Sequence, residues 1–142
     1  LADPLQIPCV AVSSLVALAL QSGRLEKQIV WAVSDARSKR VYALRLAPGD
    51  LAPDFAPPAE EEVAMPPEEA AARMSAGDFL LGEGAEIYAS HWPTGIILAE
   101  QNQHLLLASS VGIIGARRYA LGLTVTANEL QPKYLKTGQS HL

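Results

Sequence analysis

Asp35 and Arg37 stand two residues apart in Asp35-Ala36-Arg37, between an apolar run (Val30–Ser34) and an alternating one (Arg40–Leu46). A carboxylate beside a guanidinium has the makings of an acid and an anion clamp. At the turn between two strands, an Asp more often accepts from its own backbone and an Arg reaches a neighbouring carboxylate. Gly82-Glu83-Gly84 follows an apolar triplet and precedes a helical stretch, the place of a phosphate-binding turn. Glu83 would repel a phosphate, so a tight turn with a positive φ is the better reading. The histidines are His91, His104 and His141. None lies four residues from another, and none has the helix-spaced Glu of a metallopeptidase ligand set. Ser13-Ser14, Ser109-Ser110 and Ser140 lack the Gly-x-Ser-x-Gly setting of a hydrolase nucleophile. The single cysteine, Cys9, lies in an apolar run and reads as a small buried hydrophobe.

These residues need elements to hold them. Pro8–Val12 reads as a short buried strand. Ser13 fits a helix N-cap and Ser14–Gln21 a helix, with Leu15, Leu18 and Ala19 on one face and Gly23 as its stop. Gln28–Ser34 and Arg40–Leu46 form a β-hairpin. The segment 48–67 holds six of the ten prolines together with Asp50, Asp54, Glu60, Glu61 and Glu62. Helix and central strand are excluded there, leaving a solvated surface loop. Pro67–Met74 is a short helix with acids in its first turn. Asp78–Leu81 is a short buried strand, Ala85–Ser90 one or two helical turns, and Ile96–Ala99 a last strand. His104–Leu121 is the longest helix, with Leu107, Val111 and Ile114 on one stripe and Leu106, Ile113 and Leu121 beside it. Ser109 and Ser110 fall inside it. Gly112 and Gly115 would let another element approach closely. Strands alternating with helices give an α/β fold class.

The bulk numbers bound the function. At 142 residues, 49% hydrophobic and 18% charged, the chain can bury a core. A net charge of −4 argues against an autonomous nucleic-acid binder, which needs Lys and Arg to neutralise phosphates. One cysteine builds no disulfide framework, so a reducing, cytoplasmic setting is expected. The apolar stretch Ile7–Leu20 lacks the basic start of a signal peptide and the length of a membrane span.

Four pieces in order carry a resemblance: Val12-Ser13-Ser14-Leu15, then Asp35-Ala36-Arg37 with Val41-Tyr42, then Gly82-Glu83-Gly84, and Pro132-Lys133-Tyr134-Leu135-Lys136. In these the chain resembles the second lobe of the TsaB (YeaZ) family, whose members help make threonylcarbamoyladenosine in tRNA. The resemblance implies the second lobe of an actin-like ATPase or ribonuclease H-like fold, a mixed sheet with flanking helices. It implies that residues 1–7 are a remnant of the last helix of a first lobe and that 8–142 are the C-terminal lobe. On that basis the chain is expected to be a fragment of a longer protein. It implies a non-catalytic scaffold for a TsaD-type catalytic subunit, with a TsaE-type ATPase in the assembly, a homodimer, and tRNA held only indirectly. No catalytic, cofactor or metal residues are implied. The positions carried over as structural or partner-binding are Ser13, Ser14, Asp35, Ala36, Arg37, Tyr42, Gly82, Gly84, Pro132, Tyr134, Leu135 and Lys136. Two departures bear on partners: Lys136 replaces the usual Arg, and Arg40 stands where an acid commonly precedes Val-Tyr. A lobe without its mate should expose an apolar face and self-associate. The competing readings are a glycoprotease-type metallopeptidase and a stand-alone α/β interaction module.

Overall fold

Ser13 opens the first helix as its residue type predicts. Its Oγ accepts the Val16 N–H at 3.1 Å, satisfying one of the donors that a helix start leaves unpaired. The computed structural model describes residues 8–58 and 63–126. Helix α1 (Ser14–Gln21) buries five residues in succession, Leu15 to Ala19, so it is enclosed on most sides rather than along one stripe. Gly23 follows at φ +69°, a conformation that suits a residue without Cβ.

Strands β2 (Val30–Asp35) and β3 (Val41–Leu46) pair antiparallel, with Val30 opposite Leu46 and Asp35 opposite Val41. Strand β4 (Phe79–Leu81) pairs parallel to β2, and β5 (Ile97–Leu98) parallel to β4. The sheet order is β3-β2-β4-β5. Its two faces carry separate cores. Val30, Ala32, Leu44, Leu46, Phe79 and Leu81 face α1 and Ile114. Trp31, Val33, Val41, Ala43 and Leu80 face Met65, Ala70, Met74 and Ala85. With both faces covered, β2 and β4 read as continuous apolar runs and not as alternations.

The helices of the second face are α2 (Pro67–Ala72) and α3 (Glu83–Ile87), the latter followed by a 3₁₀ turn at Ala89–His91. The last helix, α4 (Ala108–Ala120), packs on α1. Gln21 joins them: its Nε2 donates to the Leu105 carbonyl (2.8 Å), and its Oε1 accepts from Leu107 N–H (2.9 Å) and Ser110 Oγ (3.0 Å). Leu107, the N-cap of α4, supplies no side-chain cap, so a glutamine from another helix does that work.

Several sequence expectations are corrected. Helix α4 starts at Ala108, not His104, because His104 turns inward and Gln101–Gln103 form a separate 3₁₀ turn with its own capping box. Ser109 and Ser110 therefore sit in the first turn of α4, not its middle. Only Ser110 and Ile114 of α4 are buried, and Leu106, Leu107, Ile113 and Leu121 lie exposed. A Cβ at Gly112 would meet nothing within 4 Å, and one at Gly115 would reach only Val12 at 3.8 Å, so neither marks a close approach. The strand expected over Pro8–Val12 is the two-residue β1 (Pro8–Cys9), paired antiparallel with β6 (Val125–Thr126) and not buried. The proline-rich segment is not simply solvated. Leu51 and Phe55 pack at the core margin, Arg118 donates to the Asp54 carbonyl at 2.7 Å, and Met65 is buried beside Val41.

Candidate interaction site at the hairpin corner

The end of β2 brings two of the sequence pieces together. Asp35 is its last residue, and its Oδ1 accepts the Arg37 N–H at 3.1 Å, the local turn bond that the residue type favours. The hairpin closes with Arg37, Ser38 and Lys39 all at positive φ (66°, 52°, 58°) and with Arg40 N–H donating to the Arg37 carbonyl at 3.0 Å. Residues 37–40 thus form a turn of the I′ type, which prefers Asn-Gly at its centre and here holds Ser38-Lys39. The cations Arg37, Lys39 and Arg40 are exposed at this tip, and Arg40 donates to the Ala64 carbonyl at 2.8 Å.

Gly82-Glu83-Gly84 seats α3 against this end of β2. At Gly82 (φ +115°) a Cβ would collide with the Val33 carbonyl oxygen. At Gly84 a Cβ would stand 2.8 Å from Val33 Cγ1 and 2.9 Å from the Ser34 carbonyl carbon. The glycines serve close backbone approach, and Glu83 is exposed beside them. The Gly82 N–H donates to Nδ1 of buried His104 at 3.0 Å. The sequence pattern did not reveal that distant partnership. The one signal was a lone histidine ahead of a helix, and it read as part of the helix.

Helix α3 then delivers Tyr88, whose hydroxyl donates to Asp35 Oδ1 at 3.3 Å. Desolvation first, then the charge of Asp35 and the bond to it, hold the Tyr88 phenol above its ordinary pKa of 10.0. Tyr88 is therefore a protonated, fixed donor at neutral pH and not a base. His91 meets the Tyr88 ring edge-on at 5.6 Å between centroids, and its Nε2 lies 3.7 Å from Glu68 Oε1 on α2. Trp92 Nε1 donates to the Ala85 carbonyl at 2.8 Å. The corner is a polar contact surface built from β2, β3, α2 and α3. Among the described residues no three His, Cys, Asp or Glu gather as a metal-binding group.

The other expected positions lie apart. Ser13 caps α1 and Ser14 is exposed at its first turn, while α1 covers the opposite face of the sheet from α3. Ala36 packs at the margin of the α1-side core, and Tyr42 is buried within it, opposite Ser34. Pro132, Tyr134, Leu135 and Lys136 lie outside the described residues, as do residues 1–7. No described helix is long and apolar enough to cross a membrane.

No family model matches this sequence, and no curated protein matches it. Solved structures similar to it include the following two. YeaZ from Pseudomonas aeruginosa aligns with a TM-score of 0.62 and 28% identity, over 89% of this chain and 60% of that one. A structure described as an uncharacterized protein with similarity to peptidase YeaZ from Pseudomonas aeruginosa aligns with a TM-score of 0.61 and 27% identity, over 89% of this chain and 58% of that one. The chain thus spans about 60% of the length of these relatives. The two likenesses support its place as a member of the YeaZ (TsaB) family.

Proposed function

We propose that this chain, as a YeaZ (TsaB) family member, is the C-terminal lobe of a non-catalytic scaffold for the making of threonylcarbamoyladenosine in tRNA. The observation that carries this reading is the likeness to YeaZ over 89% of the chain. In this reading the lobe belongs to an actin-like or ribonuclease H-like fold. The scaffold binds and organises a TsaD-type catalytic subunit with a TsaE-type ATPase, forms a homodimer, and leaves tRNA to its partners. The polar corner supports a binding role: its Asp35 oxygen is engaged by a backbone N–H and a tyrosine, not by a histidine base. A net charge of −4 fits a subunit that does not itself hold RNA.

The test is co-purification and reconstitution. The full-length native protein that contains this chain is tagged in its own cell, and the captured proteins are identified by mass. A TsaD-type subunit should be retained, and threonylcarbamoyl transfer to tRNA should fall when the scaffold is left out. Capture without a TsaD-type subunit, together with undiminished transfer in its absence, would sink the reading.

A further inference from the structure

The outer edge of the sheet is β3, and among the described residues it is covered only at Val41. Val41 N–H donates to the Met65 carbonyl at 2.7 Å and Met65 N–H donates back to the Val41 carbonyl at 2.9 Å, one antiparallel rung of an added strand. Backbone direction alternates along a strand, so Ala43 and Arg45 send their N–H and C=O the same way as Val41. Among the described residues nothing pairs with those groups, and Val63, which a second rung would place opposite Ala43, is exposed and unpaired with it. A groove of about 400 Å³ runs along this edge, lined by Trp31, Arg45, Leu46, Asp50, Pro58 and Arg73 among others.

The groove is apolar at its floor and cationic at its rim. Trp31 stands opposite Arg45 in the β2–β3 register, so both point to the α2 face, where the buried indole forms an apolar floor. The indole N–H is already committed to Asp78 Oδ2 at 2.9 Å. Arg45 is exposed, with no ion pair among the described residues. Arg73 pairs with Glu69 at 3.2 Å, but both side chains are half exposed, and such a pair holds an arginine only weakly. The acid in the lining, Asp50, turns its Oδ2 to the Ala47 N–H at 2.9 Å.

The geometry points to strand addition: the β3 edge between Ala43 and Leu46 binds an extended acidic segment of another protein, antiparallel to β3. Its main chain bonds to Ala43 and Arg45. The side chain facing Arg45 falls on the same side of the sheet, where a carboxylate meets Arg45 with Arg73 beside it. The intervening apolar side chains fall on the other face of the sheet, beside Leu44 and Leu46.

A dye-labelled peptide of alternating Val and Glu is the probe, read by anisotropy and by amide signals of isotope-labelled protein. Binding should saturate, and the Ala43 and Arg45 amides should shift and gain protection from exchange. The same peptide N-methylated on alternate amides should lose binding. The double variant Arg45→Gln/Arg73→Gln, whose exposed sites leave the fold intact by circular dichroism, should bind about tenfold more weakly. Binding that survives N-methylation would show charge attraction alone and overturn strand addition, as would amides that the peptide leaves unchanged. Amides already protected without peptide, and released by Glu60→Gln/Glu61→Gln/Glu62→Gln or by dilution, would mean the edge is filled by this chain or a second copy, and the inference would fall.

Discussion

Gly84→Ala tests how α3 is seated, and Gly112→Ala is its built-in control. The same methyl group is added to two helices with opposite expected signs. At Gly84 the new Cβ stands 2.8 Å from Val33 Cγ1, 2.9 Å from the Ser34 carbonyl carbon and 3.1 Å from its oxygen. Val33 is fully buried, and Ser34 lies within β2, so neither can step aside cheaply. Overpacking of this kind costs about 1–3 kcal/mol, offset by about 0.5–1 kcal/mol from the better helix propensity of Ala. Contacts below 3 Å on a buried side chain and on backbone put the cost at about 2–3 kcal/mol, so the net loss is about 1–2 kcal/mol. Gly112 is an exposed position inside α4 with nothing within 4 Å of a Cβ, so only the propensity gain of about 0.5–1 kcal/mol remains. For a chain of this size each kcal/mol moves Tm by roughly 3–5 °C. Thermal melts by circular dichroism should therefore fall by about 3–10 °C for Gly84→Ala and rise by about 2–5 °C for Gly112→Ala. A second readout follows the displaced helix: the Tyr88–Asp35 bond should break, and the Tyr88 pKa should drop back toward its ordinary value. A Gly84→Ala protein that melts at or above the parent temperature would refute the close seating of α3 on β2.

Three further outcomes are expected. Asp78→Ala should cost about 2–4 kcal/mol in urea unfolding and change Trp31 emission, because buried Asp78 Oδ2 accepts from both Trp31 Nε1 (2.9 Å) and Ser75 N–H (3.0 Å); an unchanged midpoint would mean neither bond matters. The folded pKa of Tyr88 lies above its ordinary 10.0, so the folded state holds that proton more tightly than the unfolded chain. Its stabilising contribution should be whole below pH 10 and decline as pH rises through the folded value, and ultraviolet titration against Tyr88→Phe should show Asp35→Asn lowering that pKa. Ser38→Asn/Lys39→Gly should stabilise the chain by about 1–2 kcal/mol, since both positions hold positive φ in a I′ turn; a loss of stability would mean that their side chains make contacts that outweigh the strain.

The sequence alone determined features that depend on one residue and its near neighbours. Ser13 capped a helix that runs over Ser14–Gln21, because the cap bond spans only three residues. The Asp35 turn, the hairpin and the short buried strand before Gly82 were legible for the same reason. The α/β class followed from alternation, and the YeaZ likeness was visible in short motifs at their spacing. Only the tertiary structure decided what stands opposite. His104 left the last helix because the Gly82 N–H, 22 residues away, needed an acceptor. The start of α4 was set by Gln21, more than 80 residues earlier. Gly82 and Gly84 proved necessary because β2 lies against them, whereas Gly112 and Gly115, equally suggestive as letters, have open space or ordinary contact. The groove along β3 arose because Met65 makes one rung and, among the described residues, no second rung follows it. A cap or a turn is a short-range energy that the local chain encodes by itself. A missing partner, a close approach and an uncovered edge are properties of two distant segments together, and no window of the sequence contains both.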